Sequence, residues 1–147
     1  MKIERMIEEH REEVLAMMRI FYASPAVLSD GSEAIFQADI DACVKPGPYA
    51  QGFVMTQDGA LAGYCMIAKS FSTEFGRRCV WIEDLYLRPE YRGRGLGSQM
   101  LQYLIRKYPG AILRLEAERG NARALELYRT NGIDELPYAE LKRMEKE

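Results

Sequence analysis

Two adjacent acidic residues, Glu83 and Asp84, stand within the otherwise apolar run 80–87. A strand covered on both faces is normally apolar throughout, and burying two carboxylates without a use is energetically expensive. Such groups can act as general bases or hold a cation. Because neighbouring strand residues point to opposite faces, the pair can serve one site only if the strand is bulged there. The alternative is an edge strand with both acids in solvent.

A glycine-rich turn follows this strand and opens a helix. Glycines there let a ligand approach the backbone closely, while the unpaired N–H groups and the positive dipole end of the helix attract an anion. The turn consists of Arg92, Gly93, Arg94, Gly95, Leu96, Gly97 and Ser98. Its two arginines add positive charge, so the turn predicts a phosphate site. A flexible surface turn with two solvated arginines is the alternative.

Two other phosphate-binding motifs fit less well. The Walker pattern G-x-x-x-x-G-K-[ST] does not occur. The dinucleotide fingerprint is closer, since Gly93 and Gly95 fit, Ser98 holds the third position and Glu116 follows as the acid. However, residues 88–92 separate the strand from the first glycine, whereas the dinucleotide turn follows its strand directly. The dinucleotide interpretation is therefore disfavoured.

A helix further along offers a second pair of candidate residues, Asn121 and Tyr128. The two share one helix face, two turns apart, so that one ligand could touch both. Tyr128 could supply a proton to a leaving group. A helix cap and a core aromatic are the alternative interpretations. His10, the only histidine, lies in a charged helix start and is expected to be solvated. Because no Ser-His or Cys-His pair can then be assembled, direct attack is favoured over a covalent enzyme intermediate.

The elements that position these residues follow from apolar spacing, which predicts an α/β fold in the order β-α-α-β-β-β-α-β-α-β. The chain should form one mixed sheet with helices on both faces, as a single domain over 1–147. Asp58-Gly59 predicts a tight hairpin turn, and Asp30 or Ser32 should cap the second helix. Strands are expected near 2–6, 52–56, 61–70, 78–87, 111–117 and 136–144. Helices are expected from Val14 to before Pro25, from the Asp30 or Ser32 cap to before Lys45, from Leu96 to before Pro109, and from Asn121 through Arg129.

The composition limits the class of protein. With 147 residues and 48% apolar content the chain suits one core, and a net charge of −2 argues against a nucleic-acid partner. No stretch approaches the roughly 20 apolar residues of a membrane span, and the charged start argues against secretion. The cysteines, Cys43, Cys65 and Cys79, indicate neither a disulfide framework nor a metal site. We expect a cytoplasmic protein.

The motifs together resemble a known superfamily. Arg92-x-x-Gly95-x-Gly97 after a strand is similar to the pyrophosphate-binding signature of the GNAT N-acetyltransferases. The whole run 81–97, WIEDLYLRPEYRGRGLG, resembles their central strand and loop, and 121–128, NARALELY, resembles their second cofactor motif. The likeness spans about residues 80–132. Diamine acetyltransferases come closest, because they also carry a Glu-Asp pair followed by an apolar pair in this strand.

The resemblance implies acetyl-CoA as co-substrate and a bulge in the acidic strand. A freed backbone N–H near Leu85 would accept the acyl oxygen, and Leu85, Tyr86 and Leu87 would pair with the pantetheine arm. The turn from Arg92 to Ser98 would bind the pyrophosphate. Asn121 and Tyr128 would contact CoA, with Tyr128 protonating the leaving sulfur.

The resulting hypothesis is an N-acetyltransferase acting on a primary amine, with a small cationic amine as the expected acceptor. Glu83 is the candidate base, and Asp84 is an alternative base or the group that holds the cation. Trp81 and Tyr22 could add cation–π contact if they border the site. A protein or peptide acetyltransferase and a non-catalytic acyl-CoA-binding module are the alternatives. The sequence is also compatible with a homodimer.

Overall fold

Five strands form one mixed sheet in which spatial order follows chain order. The structure is a computed structural model and describes residues 1–28, 31–45 and 47–145. The strands are β1 (Lys2–Arg5), β2 (Ala50–Gln57), β3 (Ala60–Ser72), β4 (Arg77–Leu87) and β5 (Ile112–Leu115). The helices are α1 (Arg11–Tyr22), α2 (Glu33–Val44), α3 (Leu96–Lys107) and α4 (Ala122–Thr130). Neighbouring strands are antiparallel except β4 and β5, which are parallel.

Local sequence signals account for several element boundaries. Asp58 and Gly59 join β2 to β3 with φ values of 52° and 80°, as the hairpin prediction required. Ser32 caps α2, where its hydroxyl oxygen accepts a hydrogen bond from the backbone N–H of Ile35 at 3.2 Å. The alternative cap, Asp30, lies outside the described residues. Short polar side chains and positive φ values thus begin and end these elements as expected.

Two apolar clusters, one on each side of the sheet, hold the layers together. The first contains Val14 and Met18 of α1 and Ile40 of α2, packed on one face. The second contains Met100 and Leu104 of α3 on the other face. Apolar side chains at helical spacing bury one stripe of each helix against the strands. The predicted α/β fold with helices on both faces is confirmed.

The predicted final strand over 136–144 is wrong. From the end of α4 to residue 145 the structure contains no strand. Alternating apolar residues form a strand only where a neighbour supplies hydrogen bonds, and the apolar side chains of this tail are left exposed. Those side chains are Leu136, Tyr138, Leu141 and Met144. The tail instead contacts the β3–β4 turn, where the Tyr138 hydroxyl donates to Glu74 Oε2 at 3.2 Å.

Two further sequence expectations concern the cysteines and the membrane. Cys43, Cys65 and Cys79 are free and buried, and behave as small core residues. Each helix in the described part of the chain is too short or too polar to cross a bilayer.

Candidate active site

The acidic pair lies at a bulge in β4. Asp84 pairs with Met66 of β3, and Ile82 pairs with Ile67, so Glu83 is an extra residue without an opposite partner. One additional residue in one strand bends it and re-aims the side chains that follow. This is the bulge that the family resemblance implied.

The bulge also changes which residues of β4 face each helix layer. Val80 and Ile82 belong to the α3-side cluster before the bulge, and Leu85 and Leu87 pack against that same cluster after it. Even-numbered residues of β4 therefore face the α3 side before Glu83, and odd-numbered residues face it after Glu83. β4 is consequently not an edge strand with two solvated acids, because it pairs with β3 and β5 and buries one acid of the pair.

β4 and β5 separate just where the bulge begins. Their pairing ends with Ile82 opposite Leu115, and residues 84–87 pair with β3 alone among the strands that the structure describes. The side of this segment that faces away from β3 has no strand beside it. An extended ligand could add its own hydrogen bonds to such an edge. Leu85, Tyr86 and Leu87, the predicted pantetheine-binding residues, all lie in this segment.

The glycine-rich turn begins α3 close to that opening. Gly93 and Gly95 have φ values of +77° and +76°, and Gly95 is the cap residue of the helix. A Cβ on Gly95 would meet no atom within 4 Å, so the space beside it is open to a ligand. Gly97 has a different role, because its Cβ would lie 3.0 Å from Leu127 of α4. Leu96 is a core residue.

Arg92, which the sequence placed among the phosphate-binding residues, folds back onto β4. Its Nε donates to the carbonyl oxygen of Leu87 at 2.9 Å, and its guanidinium lies 5.5 Å from the centre of the Tyr86 ring. The Arg92 side chain thus satisfies the carbonyl oxygen of the last residue of β4. Tyr86 itself points to the α1 side and is buried. Its carbonyl oxygen faces Gly63 of β3 rather than the open edge, and its side chain is a core residue.

The other charged and polar residues of the turn have separate environments. Arg94 is exposed and its guanidinium lies 5.6 Å from the centre of the Tyr91 ring. Ser98 accepts a hydrogen bond from Asn131 Nδ2 at 3.0 Å, which ties α3 to the end of α4. Ser98 is therefore engaged in packing the two helices. Arg94 is free to approach an anion.

The structure adds Arg123, for which the sequence predicted no role. A Cβ built on Gly93 would lie 3.7 Å from Arg123 Nη2, so this α4 side chain sits over the turn. The side chain is exposed and makes no hydrogen bond or ion pair with the described residues. The motif 121–128 contained this arginine, but only the packing of α4 beside α3 shows that it faces the glycines. It adds a cation to the candidate phosphate site.

Asn121 and Tyr128 lie on α4 as predicted, in different settings. Asn121 is the helix cap, and its Oδ1 accepts from the backbone N–H of Ala124 at 3.2 Å. Tyr128 packs against the α3-side cluster. Burial, with a smaller effect of Cys65, raises the pKa of Tyr128 to about 12. Because Cys65 pairs with Leu85, the phenol lies near the open segment of β4 and remains a proton donor at neutral pH.

Asp84 is buried, with 4% of its surface exposed. The Tyr22 hydroxyl donates to its Oδ1 at 2.9 Å, and the Tyr64 hydroxyl donates to its Oδ2 at 2.8 Å. Burial raises the pKa of Asp84, while these two hydrogen bonds oppose that rise. Both carboxylate oxygens are thus occupied by phenols.

Glu83 is exposed and free of hydrogen bonds and ion pairs to the described residues. Partial loss of hydration raises its pKa, and so do the charges of Asp84 and Glu140. On α2, half-buried Asp39 faces the same pair, and desolvation with the charges of Asp84 and Glu83 raises its pKa to about 6. Although α2 is rich in acidic residues, Asp39 therefore does not lie on a solvated helix face.

Trp81 contacts an arginine instead of an open acceptor site. The guanidinium of Arg114 lies 4.8 Å from the centre of the Trp81 ring, and the two residues are partners across β4 and β5. This ring face is already occupied by a cation. Tyr22 does border the acidic pair, where it acts through its hydroxyl.

The open strand edge, the helix start and the unpaired carboxylate at the bulge are compatible with binding and transfer of an acyl group from CoA. Residues 10–133 match the model of the acetyltransferase (GNAT) family. The chain belongs to this family, and the predicted acyl-CoA-dependent acetyltransferase, with acetyl-CoA as co-substrate, is confirmed.

Known proteins with similar sequences or folds agree with this assignment. The thialysine N-epsilon-acetyltransferase of Sus scrofa is 32% identical over 146 residues, covering 94% of this chain and 80% of that protein. The Bos taurus protein of the same name is 37% identical over 87 residues, 57% of this chain and 51% of that protein. An aminoglycoside N-acetyltransferase solved in complex with CoA superposes with a TM-score of 0.80 at 15% identity, covering 97% and 93% of the two chains. That last likeness concerns the fold.

Proposed function

We propose that this protein transfers the acetyl group of acetyl-CoA directly to the primary amine of a small cationic acceptor, with both substrates bound together. The observation that carries the proposal is the exposed, unpaired carboxylate of Glu83 at the bulge, beside the strand edge that has no partner. A group so placed can reach a ligand on that edge. It can accept a proton from an incoming amine.

The described residues fit acetyl-CoA along this edge. The first-turn N–H groups of α3, with Arg94 and Arg123 nearby, would hold the pyrophosphate. The open segment 85–87 would pair with the pantetheine arm. An N–H of this segment, near Leu85, would stabilise the oxyanion that forms during transfer. Apart from its chain neighbours, no described residue has an atom within 4 Å of a Cβ built on Gly95, which supports close approach of the phosphates.

The chemistry balances with two proton-handling residues. Glu83 removes one proton from the ammonium group, and the free amine attacks the thioester carbonyl carbon. A C–N bond forms and the C–S bond breaks as the tetrahedral intermediate collapses. Tyr128 gives its proton to the CoA sulfur. The acceptor nitrogen must lose a second proton to become an amide, and this proton returns to Tyr128. The products are the N-acetylated amine, CoA thiol and the proton carried away by Glu83.

Uncompensated negative charge supports a cationic acceptor. Asp39, Glu83 and Asp84 interact electrostatically, and none of them forms a salt bridge in the described part of the chain. Adjacent negative groups raise the local concentration of a cation and repel an anion. The mammalian relatives are named for an amine acceptor, which agrees with this class of substrate.

The experiment is a turnover screen with wild-type protein and acetyl-CoA, reading released thiol. Acceptors are spermidine, lysine, peptides with free N-termini and an aminated sugar, each at low and high salt. We expect turnover to be highest with the polyamine and to fall with salt. Preference for the peptides would instead indicate a protein acetyltransferase, and acetyl-CoA binding without turnover on any amine would indicate a binding module.

A further inference from the structure

The two adjacent acids of β4, Glu83 and Asp84, have different environments and, we infer, different roles in catalysis. Resting on the proposed role of Glu83 as base, we propose that Asp84 is a positioning residue. Held by the hydroxyls of Tyr22 and Tyr64, its carboxylate fixes the bulge and the negative charge beside Glu83, while Glu83 alone takes the proton from the amine. We call these three residues, Tyr22, Asp84 and Tyr64, the phenol clamp.

Geometry separates the two carboxylates. Asp84 is 4% exposed and each of its oxygens accepts a hydrogen bond from a phenol, at 2.9 and 2.8 Å. A base must come within hydrogen-bond reach of the proton that it removes, which a carboxylate enclosed in this way does not offer. Glu83, one residue earlier, is exposed and has no partner among the described residues.

The phenol clamp joins three elements around the bulge. Tyr22 is the last residue of α1, Tyr64 lies in β3, and Asp84 follows the extra residue of β4. Tyr64 is fully buried, and the Tyr22 ring packs on Phe36 of α2 with centroids 5.2 Å apart. Two hydrogen bonds to a buried charge are strong and directional, so they determine where β4 bends. The clamp thereby determines where Glu83 points.

In the described part of the chain, the titratable groups around the clamp are carboxyl groups, which are negative when ionised, and phenols and thiols, which are neutral when protonated. No cation among them offsets the charge of Asp84. The groups that interact with Asp84 are Tyr22, Asp39, Cys43, Tyr64, Cys65 and Glu83. Those that interact with Glu83 are Tyr22, Asp39, Asp84, Glu116 and Glu140. Burial and the charge of Asp84 raise the pKa of both phenols, which therefore stay protonated and donating.

The test follows the titration of Glu83 directly, by carboxyl carbon NMR of selectively labelled protein. The variants are Asp84→Asn and Tyr22→Phe, with Tyr103→Phe as a control that removes a phenol hydroxyl on α3 without a hydrogen-bond partner in the described chain. Removing the charge of Asp84 should move the Glu83 midpoint to lower pH, since that charge raises the pKa of Glu83. Tyr22→Phe should move the Glu83 midpoint in the same direction but by less. Without the Tyr22 hydrogen bond Asp84 is protonated more readily, so its negative charge near Glu83 is smaller. The control should leave it unchanged.

Turnover gives the second reading on any amine that the wild type acetylates. The acid limb of the kcat/KM profile should move to lower pH in both clamp variants, with CoA affinity within about twofold of wild type. If Asp84 had a merely structural role, the clamp variants would have a lower unfolding midpoint but an unchanged acid limb of the kcat/KM profile. That result would overturn the proposal. So would a Glu83 titration that is unmoved in a folded variant, or loss of turnover at every pH in Asp84→Asn while Glu83→Gln stays active. If Asp84→Asn fails to fold, the Tyr22→Phe variant alone tests the proposal. Because the NMR titration of Glu83 does not require turnover, it tests the role of Asp84 even if no amine is acetylated.

Discussion

The guanidinium of Arg123 on α4 lies over Gly93 in the turn that begins α3, 3.7 Å from the position that a Cβ of this glycine would occupy. A Cβ built on Gly97 would lie 3.0 Å from Leu127, so the two helices run side by side with this arginine at the turn. A cation there should contact a phosphate of CoA.

Arg123→Gln should therefore weaken CoA binding about tenfold, which is about 1.4 kcal/mol, and make it less sensitive to salt. Calorimetric titration measures both effects. Arg129→Gln is the matched control, since Arg129 lies on the same helix and pairs with Glu126. CoA lacking its 3′-phosphate distinguishes the contacts, because the loss disappears with this ligand only if Arg123 binds the 3′-phosphate. Unchanged binding of both ligands would show that Arg123 does not contact the donor.

The turn itself can be tested with a pair of glycines. Gly95 and Gly110 have φ values of +76° and +78°, and a Cβ at either meets no atom within 4 Å. Replacement by Ala should destabilise each protein by about 1 kcal/mol, because both backbones are left-handed. Only Gly95→Ala should also weaken CoA binding, by about tenfold or more, as strain moves the N–H groups of the turn. Equal CoA affinities in the two variants would remove the turn from the binding site.

The role of Glu83 predicts a pH-dependent defect. Glu83→Gln should lower turnover about 100-fold or more near neutral pH, with partial recovery at high pH where more amine is already unprotonated. Acetyl-CoA affinity should change by less than about twofold. Glu12→Gln, an exposed acid on α1, serves as the control. Wild-type turnover in the Glu83 variant would show that another group takes the proton.

Sequence patterns predicted the order of the first nine elements because apolar spacing, the Asp58-Gly59 turn and the Ser32 cap are local signals. The bulge at Glu83 came from the family resemblance, since register depends on the partner strand. Tertiary contacts that join distant segments were not predictable in this way. The phenol clamp, the approach of Arg123 to Gly93 and the burial of Asp39 belong to this group, as does the failure of the tail to find a strand partner.

Asp39 should influence stability in a pH-dependent manner. Its pKa in the folded protein is about 6, above the ordinary value of 3.8, so the folded state binds more protons between these pH values. The contribution of Asp39 to stability is therefore present below pH 3.8 and is lost as the pH rises through about 6. The free energy of unfolding of the Asp39→Asn variant should exceed that of the wild type by about 1 kcal/mol at neutral pH, after allowance for solvent screening. Near pH 3.5 the two free energies should be equal.

Urea unfolding at several pH values measures this difference, with Glu12→Gln as the control, since Glu12 is exposed on α1 and forms no salt bridge in the described part of the chain. The same substitution should raise the KM of a cationic acceptor while leaving CoA binding intact, because one carboxylate of the negative site is lost. A stability difference that is independent of pH would contradict the burial of a charged Asp39 beside the β4 acids.

Acetylation of a cationic amine is tested most directly with three acceptors that share one carbon skeleton. They are 1,5-diaminopentane, 1-aminopentane and 5-aminopentanoate, which differ in the charge at the far end. Released CoA thiol gives kcat/KM for each at low and high salt. We predict the highest value for the diamine and the lowest for the amino acid, with the difference narrowing as salt increases. Equal values for the three acceptors, or a preference for 5-aminopentanoate that salt does not change, would contradict the claim.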